Sequence, residues 1–279
     1  MMSLFMRYPG GYGKALTFSY DDGVQSDIRF MNILDKYGMK ATFNINSGCF
    51  APEGTTYPEG TVHRRMSKSE CMDVYGNSNH EVAIHGYSHP FWNRIPVAAA
   101  TVDIVDDRKI LEEMYKRIIR GGAYPFGAYN DTVVEILKNS GVVYCRTTKS
   151  TRSFDLPSSD WLRLHPTCHH CDEKLMELAD RFVEMEPNRA PCLFYVWGHT
   201  YEFDRDNNWD VIESFCEKIS CANNIWYCTN IELYDYIRAY ECLEFSADMK
   251  IVYNPSVCKV WFDFNGKLCT VEPGETKIL

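Results

Sequence analysis

No stretch of the 279-residue chain approaches the ~20 consecutive apolar residues that a membrane-crossing helix needs, so no membrane partner is expected. Basic residues are also in short supply. The 29 Lys and Arg face 38 Asp and Glu for a net charge of −9, and they are scattered, which gives no electrostatic footprint for a phosphate backbone and argues against nucleic acid. Internal repeats and low-complexity segments are absent. The opening MMSLFMRYPGGYGK has one early basic residue, only a short apolar run and no small-residue cleavage pattern, so it does not read as a signal peptide and predicts a cytoplasmic protein. Cysteine is the exception: there are twelve, but in a chain too long to need stapling they follow no disulfide-framework spacing. They read as reduced, partly buried thiols.

Short β-rich runs alternate with helix-length segments almost from the start, the signature of βα units around a parallel sheet. Strands are predicted over 14–19, 40–45, 81–84, 121–124, 142–147, 192–197 and 225–228. Between them, Ile28, Met31, Leu34 and Tyr37 recur at helical spacing and are stopped by Gly38. Asn130 reads as the cap of a helix that Gly141 ends, and polar starts at Asp172, Asn208 and Asn230 mark three more. Seven or so such units suit an irregular barrel better than a small open sheet. From 243 to 279 the pattern turns to alternating apolar positions with an Asn265-Gly266 hairpin signal. The expected division is a catalytic α/β domain over 1–242 and a small β appendage over 243–279.

In such folds chemistry gathers at the C-terminal ends of the strands. Three of those ends are unusually polar: Asp21-Asp22 after the first strand, HGYSHP at 85–90 after EVAI, and Gly198-His199 after CLFYVW. Asp-Asp-Gly alone is a common turn, and two histidines four apart are common without a ligand. Their joint occurrence at three strand ends is what points to a site. Two imidazoles and a carboxylate leave a coordination position open for water, as in catalytic zinc centres, and Asp22 can supply the carboxylate. Asp21 then stands ready to take a proton from water and His199 to protonate a leaving group.

These residues resemble the polysaccharide deacetylases of the NodB-homology type, carbohydrate esterase family 4, over roughly 14–235. TFSYDDG at 17–23 looks like the family's first motif and implies Asp21 as general base and Asp22 as metal ligand. HGYSHP resembles the second and implies His85 and His89 as the other ligands. AYPFG at 123–127 resembles the third, a groove wall that includes Tyr124, with the Phe126 N–H as oxyanion donor. SSDWL at 158–162 resembles the fourth, implying that Asp160 pairs with the catalytic histidine and Trp161 lines the pocket. LFYVWGH at 193–199 resembles the last, with His199 as general acid. The resemblance implies a distorted (β/α)7-8 barrel and a divalent-metal-dependent enzyme removing N-acetyl, or O-acetyl, groups from a carbohydrate. Zinc is the expected ion, and cobalt, nickel or iron suit the same ligands.

Two departures stand out. The third motif of the family begins with an arginine that pairs with the base, and here that position is Ala123; Arg120 and Arg146 are candidates to replace it. Tyr20 is an extra residue before the aspartates, and Val24 stands where many members have proline. CHHC at 168–171 reads as a thiol-redox pair, as half a zinc site lacking a second C-x-x-C, as a polar helix-capping loop, or as a segment that brings His169 or His170 to the mouth of the active site. Trp197 and the neighbouring aromatics suit a sugar-binding cleft or plain core packing. Two other functions stay open: an amidase acting on small acylated amides on the same fold, and a carbohydrate-binding protein that has lost catalysis.

Overall fold

The computed structural model describes residues 2–157 and 159–279; Ser158, which opens the SSDWL segment, lies outside them. After the short strand Leu4–Arg7 (β1), the chain enters the middle of a parallel sheet with Lys14–Asp21 (β2) and Ala41–Ile45 (β3). Every residue of β2 and β3 is buried, as strands covered on both faces must be. Outward from β3 lie Glu81–Ile84 (β4), Gly121–Ala123 (β5) and Tyr144–Arg146 (β6), and beyond β2 lie Cys192–Gly198 (β8) and Cys168–His169 (β7). The order is β6-β5-β4-β3-β2-β8-β7, with Ile225–Tyr227 (β9) also paired to β2.

Helices fill the crossovers: Ser26–Lys36 (α1), Lys68–Gly76 (α2), Val97–Tyr115 (α3), Asp131–Asn139 (α4), Leu175–Glu184 (α5), Tyr201–Asp206 (α6), Trp209–Ser220 (α7) and Asn230–Glu241 (α8). The Asn130 cap forms as expected, its side chain accepting from the Val133 N–H at 2.9 Å. The sheet is curled. Leu164 bridges Arg146 on β6 while Cys168–His169 pairs with β8, so the run 164–169 spans the gap between the two sides. This is the expected α/β architecture, a distorted barrel, with one further strand, β7, where the sequence pattern predicts none.

The start of β2 is fixed by an unusual anchor. Buried Lys14 sends its Nζ to the carbonyls of Phe182, Val183 and Met185 at 3.2, 2.9 and 2.9 Å, satisfying acceptors at the C-terminal end of α5. Higher in the interior, a second polar group closes on itself. Thr17 donates to Asn230 (2.8 Å), Asn230 to Tyr195 (2.6 Å), and Thr42 and Tyr144 to Glu81 (2.8 and 2.6 Å).

The last residues form Glu244–Phe245 (β10), Ile251–Tyr253 (β11), Val260–Phe264 (β12), Lys267–Val271 (β13) and Thr276–Ile278 (β14). They make two three-stranded sheets, β10-β11-β14 and β1-β12-β13. Asn265 and Gly266 turn the β12–β13 hairpin with φ of 55° and 79°. The N-terminal strand β1 completes the second sheet, pairing antiparallel with β12 across the length of the chain.

Candidate active site

Asp21 ends β2 and is buried. It accepts from Asn44 Nδ2 (2.8 Å), a residue on the adjacent strand β3, and from Arg146 Nη2 (2.5 Å) at the end of β6. Ala123 and Arg146 are register partners across β5 and β6, so the guanidinium reaches the carboxylate from one strand beyond the alanine. Arg146 also lies over the Trp197 ring, 4.3 Å from its centre. Arg120 is engaged elsewhere, in a two-pronged pair with Asp235. Burial pushes the Asp21 carboxyl up, but Arg146, then His85 and His199, outweigh it and hold its pKa below the ordinary value.

Asp22 leaves the strand with φ 85°, which places its carboxylate in the same cleft as Asp21. His89 (54°) and Phe126 (57°) share this left-handed backbone, so three of the expected site residues hold conformations that cost about 1–3 kcal/mol each and that packing must enforce. Asp22 Oδ1 meets Arg65 Nη2 at 3.0 Å and Oδ2 meets His63 Nε2 at 3.2 Å. Burial opposes its ionisation, but His63, His85, Arg65 and His199 hold it well below the usual carboxylate range.

The HGYSHP loop is held by two acids four apart on one face of α3. Asp107 accepts from the His85 N–H at 3.0 Å, and Asp103 accepts from the Ser88 N–H at 2.9 Å and from the Trp92 indole at 2.8 Å. His85 Nδ1 lies 2.9 Å from the Ala123 carbonyl, which only accepts; the ring proton therefore sits on Nδ1 and Nε2 presents a lone pair. That Nε2 is 3.2 Å from His89 Nε2, which in turn is 3.9 Å from Asp22 Oδ1. Burial and the neighbouring His85 lower His89 to about 4, so it too is neutral near pH 7. One ligand atom from each of Asp22, His85 and His89 lies within 4.8 Å of the others. Two neutral imidazoles and an anion converging in this way fit a small divalent cation, with borderline donors that suit zinc.

His199 follows β8 on the opposite wall, its Nε2 3.8 Å from Asp21 Oδ2. Burial disfavours its charged form, but Glu202 and then Asp21 and Asp22 outweigh that and raise its pKa. The partner of His199 is Glu202, three residues on, whose Oε2 is 3.4 Å from Nδ1. The expected Asp160 pairing does not form. Asp160 sits before the short 3-10 turn Trp161–Arg163, and its carboxylate is taken by Arg163. Trp161 is likewise displaced from its expected place: it packs edge-on to Tyr234 at 5.1 Å and, with Asp160, borders a separate cleft of about 500 Å³. His169 stands behind Trp197 and Glu202, Nε2 3.2 Å from the latter, and is not part of the cleft wall.

The cleft that gathers Asp21, Asp22, His85, His89 and His199 has a volume of about 480 Å³ and is walled by Tyr124, Phe126, Trp197 and Tyr201. Phe126 is exposed and stacks on Phe91 with ring centres 4.0 Å apart. His63 and Arg65 enter the same cleft from the long loop after β3, which carries no periodicity to mark them. Glu202 was findable, since it lies at i+3 from His199 at the start of α6.

The sequence pattern of the polysaccharide deacetylases matches residues 9–145. No curated protein matches the chain. Among solved structures, a candidate polysaccharide deacetylase from Mycobacterium smegmatis is 15% identical, with 84% of this chain and 93% of that chain covered and a TM-score of 0.55. A peptidoglycan deacetylase from Bacillus subtilis, PdaC, is 18% identical, with 82% and 93% covered and a TM-score of 0.51. A carbohydrate esterase family 4 pseudoenzyme from Bacillus anthracis is 15% identical, with 79% and 65% covered and a TM-score of 0.50. At these identities the structures speak for the fold, and the family's sequence pattern runs through Asp21, Asp22, His85 and His89 of the cleft. Residues 9–145 thus carry the polysaccharide deacetylase sequence pattern, and the chain folds into a barrel of the NodB type.

Proposed function

We propose that the protein is a divalent-metal-dependent hydrolase that removes N-acetyl groups from a carbohydrate, with zinc as the resident ion. Asp22, His85 and His89 would hold the ion. When bound, it supplies Lewis acidity, acidifying water and polarising an acyl carbonyl. The observation that carries the reading is the position of Asp21: buried beside the three ligands yet paired to Arg146 and Asn44. A carboxylate so held stays ionised and can accept a proton from water without being drawn into the ligand set. His199, 3.8 Å from Asp21 and backed by Glu202, gives a proton to the leaving amine. The Phe126 N–H serves as oxyanion donor, and Tyr124 and Trp197 border the sugar. The catalytic unit spans 1–242, with 243–279 as an appendage tied down by β1.

Ala123 favours a binding protein without catalysis only if Asp21 lacks a basic partner, and Arg146 supplies one. Acetate release distinguishes the remaining readings. Metal-loaded protein should release acetate from an N-acetylated chito-oligosaccharide, lose that activity to a chelator and regain it with zinc. Release from small soluble acyl amides alone would assign the amidase function instead. No release from either would assign the binding function.

A further inference from the structure

Behind His199 lies a second convergence of metal-ligating groups, of which the proposed reaction uses only Glu202, as the partner of His199. His169, His170 and Cys171 leave β7 in consecutive positions, and Glu202 comes from the first turn of α6. One ligand atom from each lies within 4.8 Å of the other three. The Nε2 atoms of His169 and His170 are 3.2 and 3.4 Å from Glu202 Oε2, but neither contact has hydrogen-bond geometry. For bonds of about 2.0–2.1 Å, neighbouring ligand atoms around a tetrahedral zinc are about 3.3 Å apart.

His170 is the independent sign that this is a built site. Its side chain is 1% exposed, and neither ring nitrogen has a hydrogen-bond partner, which a buried imidazole should not tolerate. The ring packs against two neighbours, Tyr20, parallel within 4° at 5.6 Å, and Phe203, at 4.2 Å. Gly198 makes room for it: a Cβ there would come within 1.9 Å of His170 Nδ1. The structure therefore holds the orphaned ring rigidly with Nε2 toward Glu202, while Cys171 is exposed and gives an entry path.

We infer that His169, His170, Cys171 and Glu202 form a second cation site, distinct from Asp22, His85 and His89, that takes a zinc-class ion. The thiolate and two imidazoles select a borderline-soft transition metal over magnesium or calcium. Coordination has two local costs. Nδ1 of His169 must give up the Cys171 N–H that now approaches it at 3.1 Å, and the Cys171 thiol must lose its proton, as metal-bound thiols do. Because Glu202 also contacts His199, an ion here would fix the carboxylate that backs the proposed acid.

Cobalt distinguishes the two sites, since only this one contains sulfur. Titrating Co²⁺ into the metal-free full-length protein should give two bound equivalents and a thiolate-to-cobalt charge-transfer band in the near ultraviolet. Cys171→Ser should lose the band and one equivalent, whereas His85→Ala should lose one equivalent and keep the band. As a measurement that needs no variant, saturating Zn²⁺ should slow alkylation of Cys171 at least about tenfold, read by mass spectrometry. A single equivalent without the band in the wild type, a band that survives Cys171→Ser, or alkylation of Cys171 unaffected by Zn²⁺ would overturn the site.

Discussion

Two polar clusters sit inside the same barrel, and they are built on opposite rules. The one among Thr17, Thr42, Glu81, Tyr144, Tyr195 and Asn230 is closed: each side chain has a hydrogen-bond partner, and Glu81 alone accepts from Thr42, Tyr144 and the Ile231 N–H. At the C-terminal ends of β2, β4, β6 and β8, lone pairs face one another and polar atoms remain unpaired, among them Nε and Nη1 of Arg146 and Nε1 of Trp197. Unpaired buried polar groups are costly, so a fold retains them where a ligand completes them. The closed cluster holds the strands together, and the open one is where the proposed chemistry is placed.

That contrast can be broken from either side. The largest effect is expected at the open end: His85→Ala should reduce both the metal content of the first site and acetate release to background while the fold persists by circular dichroism. Arg146→Met comes next. It strips Asp21 of its buried cation, and activity should fall about 10–100-fold, with a stability loss of about 3–5 kcal/mol in urea denaturation because a buried carboxylate is left unpaired.

The smallest effect on activity is expected at the closed end. Burial pushes Glu81 up to about 7, against the hydrogen bonds from Tyr144, Ile231 and Thr42 that lower it. A carboxyl raised in the native state binds its proton more tightly there than in the unfolded chain. It therefore makes the protein lose stability as pH rises from about 4.5 to about 7, after which the loss levels off. Glu81→Gln should remove that component, so urea midpoints at about pH 5 and about pH 8 should lie closer together than in the wild type, with acetate release retained. An equal loss of activity in Glu81→Gln and His85→Ala would erase the distinction between the two clusters.

Much of the fold was legible because its signals are local: the strand runs, the Asn130 cap and, in the appendage, the Asn265-Gly266 turn each depend on a few neighbouring residues. The pairing of β1 with β12 was not, since its partners lie at opposite ends of the chain and nothing near Leu4 names Phe264. In the site, the residues at strand ends could be read from position. Their supports could be read only in part: Arg146 and Arg120 were both candidates for Asp21, the choice depends on pairing across β5, and His63 and Arg65 arrive on an aperiodic loop. Asp160 and Trp161 mark the other limit: a motif resembled the family's, but the local salt bridge to Arg163 and the packing on Tyr234 took both side chains away from His199.

The division of labour between the adjacent aspartates is the centre of the account, and one variant tests it. In Asp21→Asn, first-site zinc and acetate release are measured on the same preparation. The account predicts wild-type metal content with release reduced about 10²–10⁴-fold, the usual contribution of a general base. Release at the wild-type rate, or loss of the metal together with activity, would contradict it.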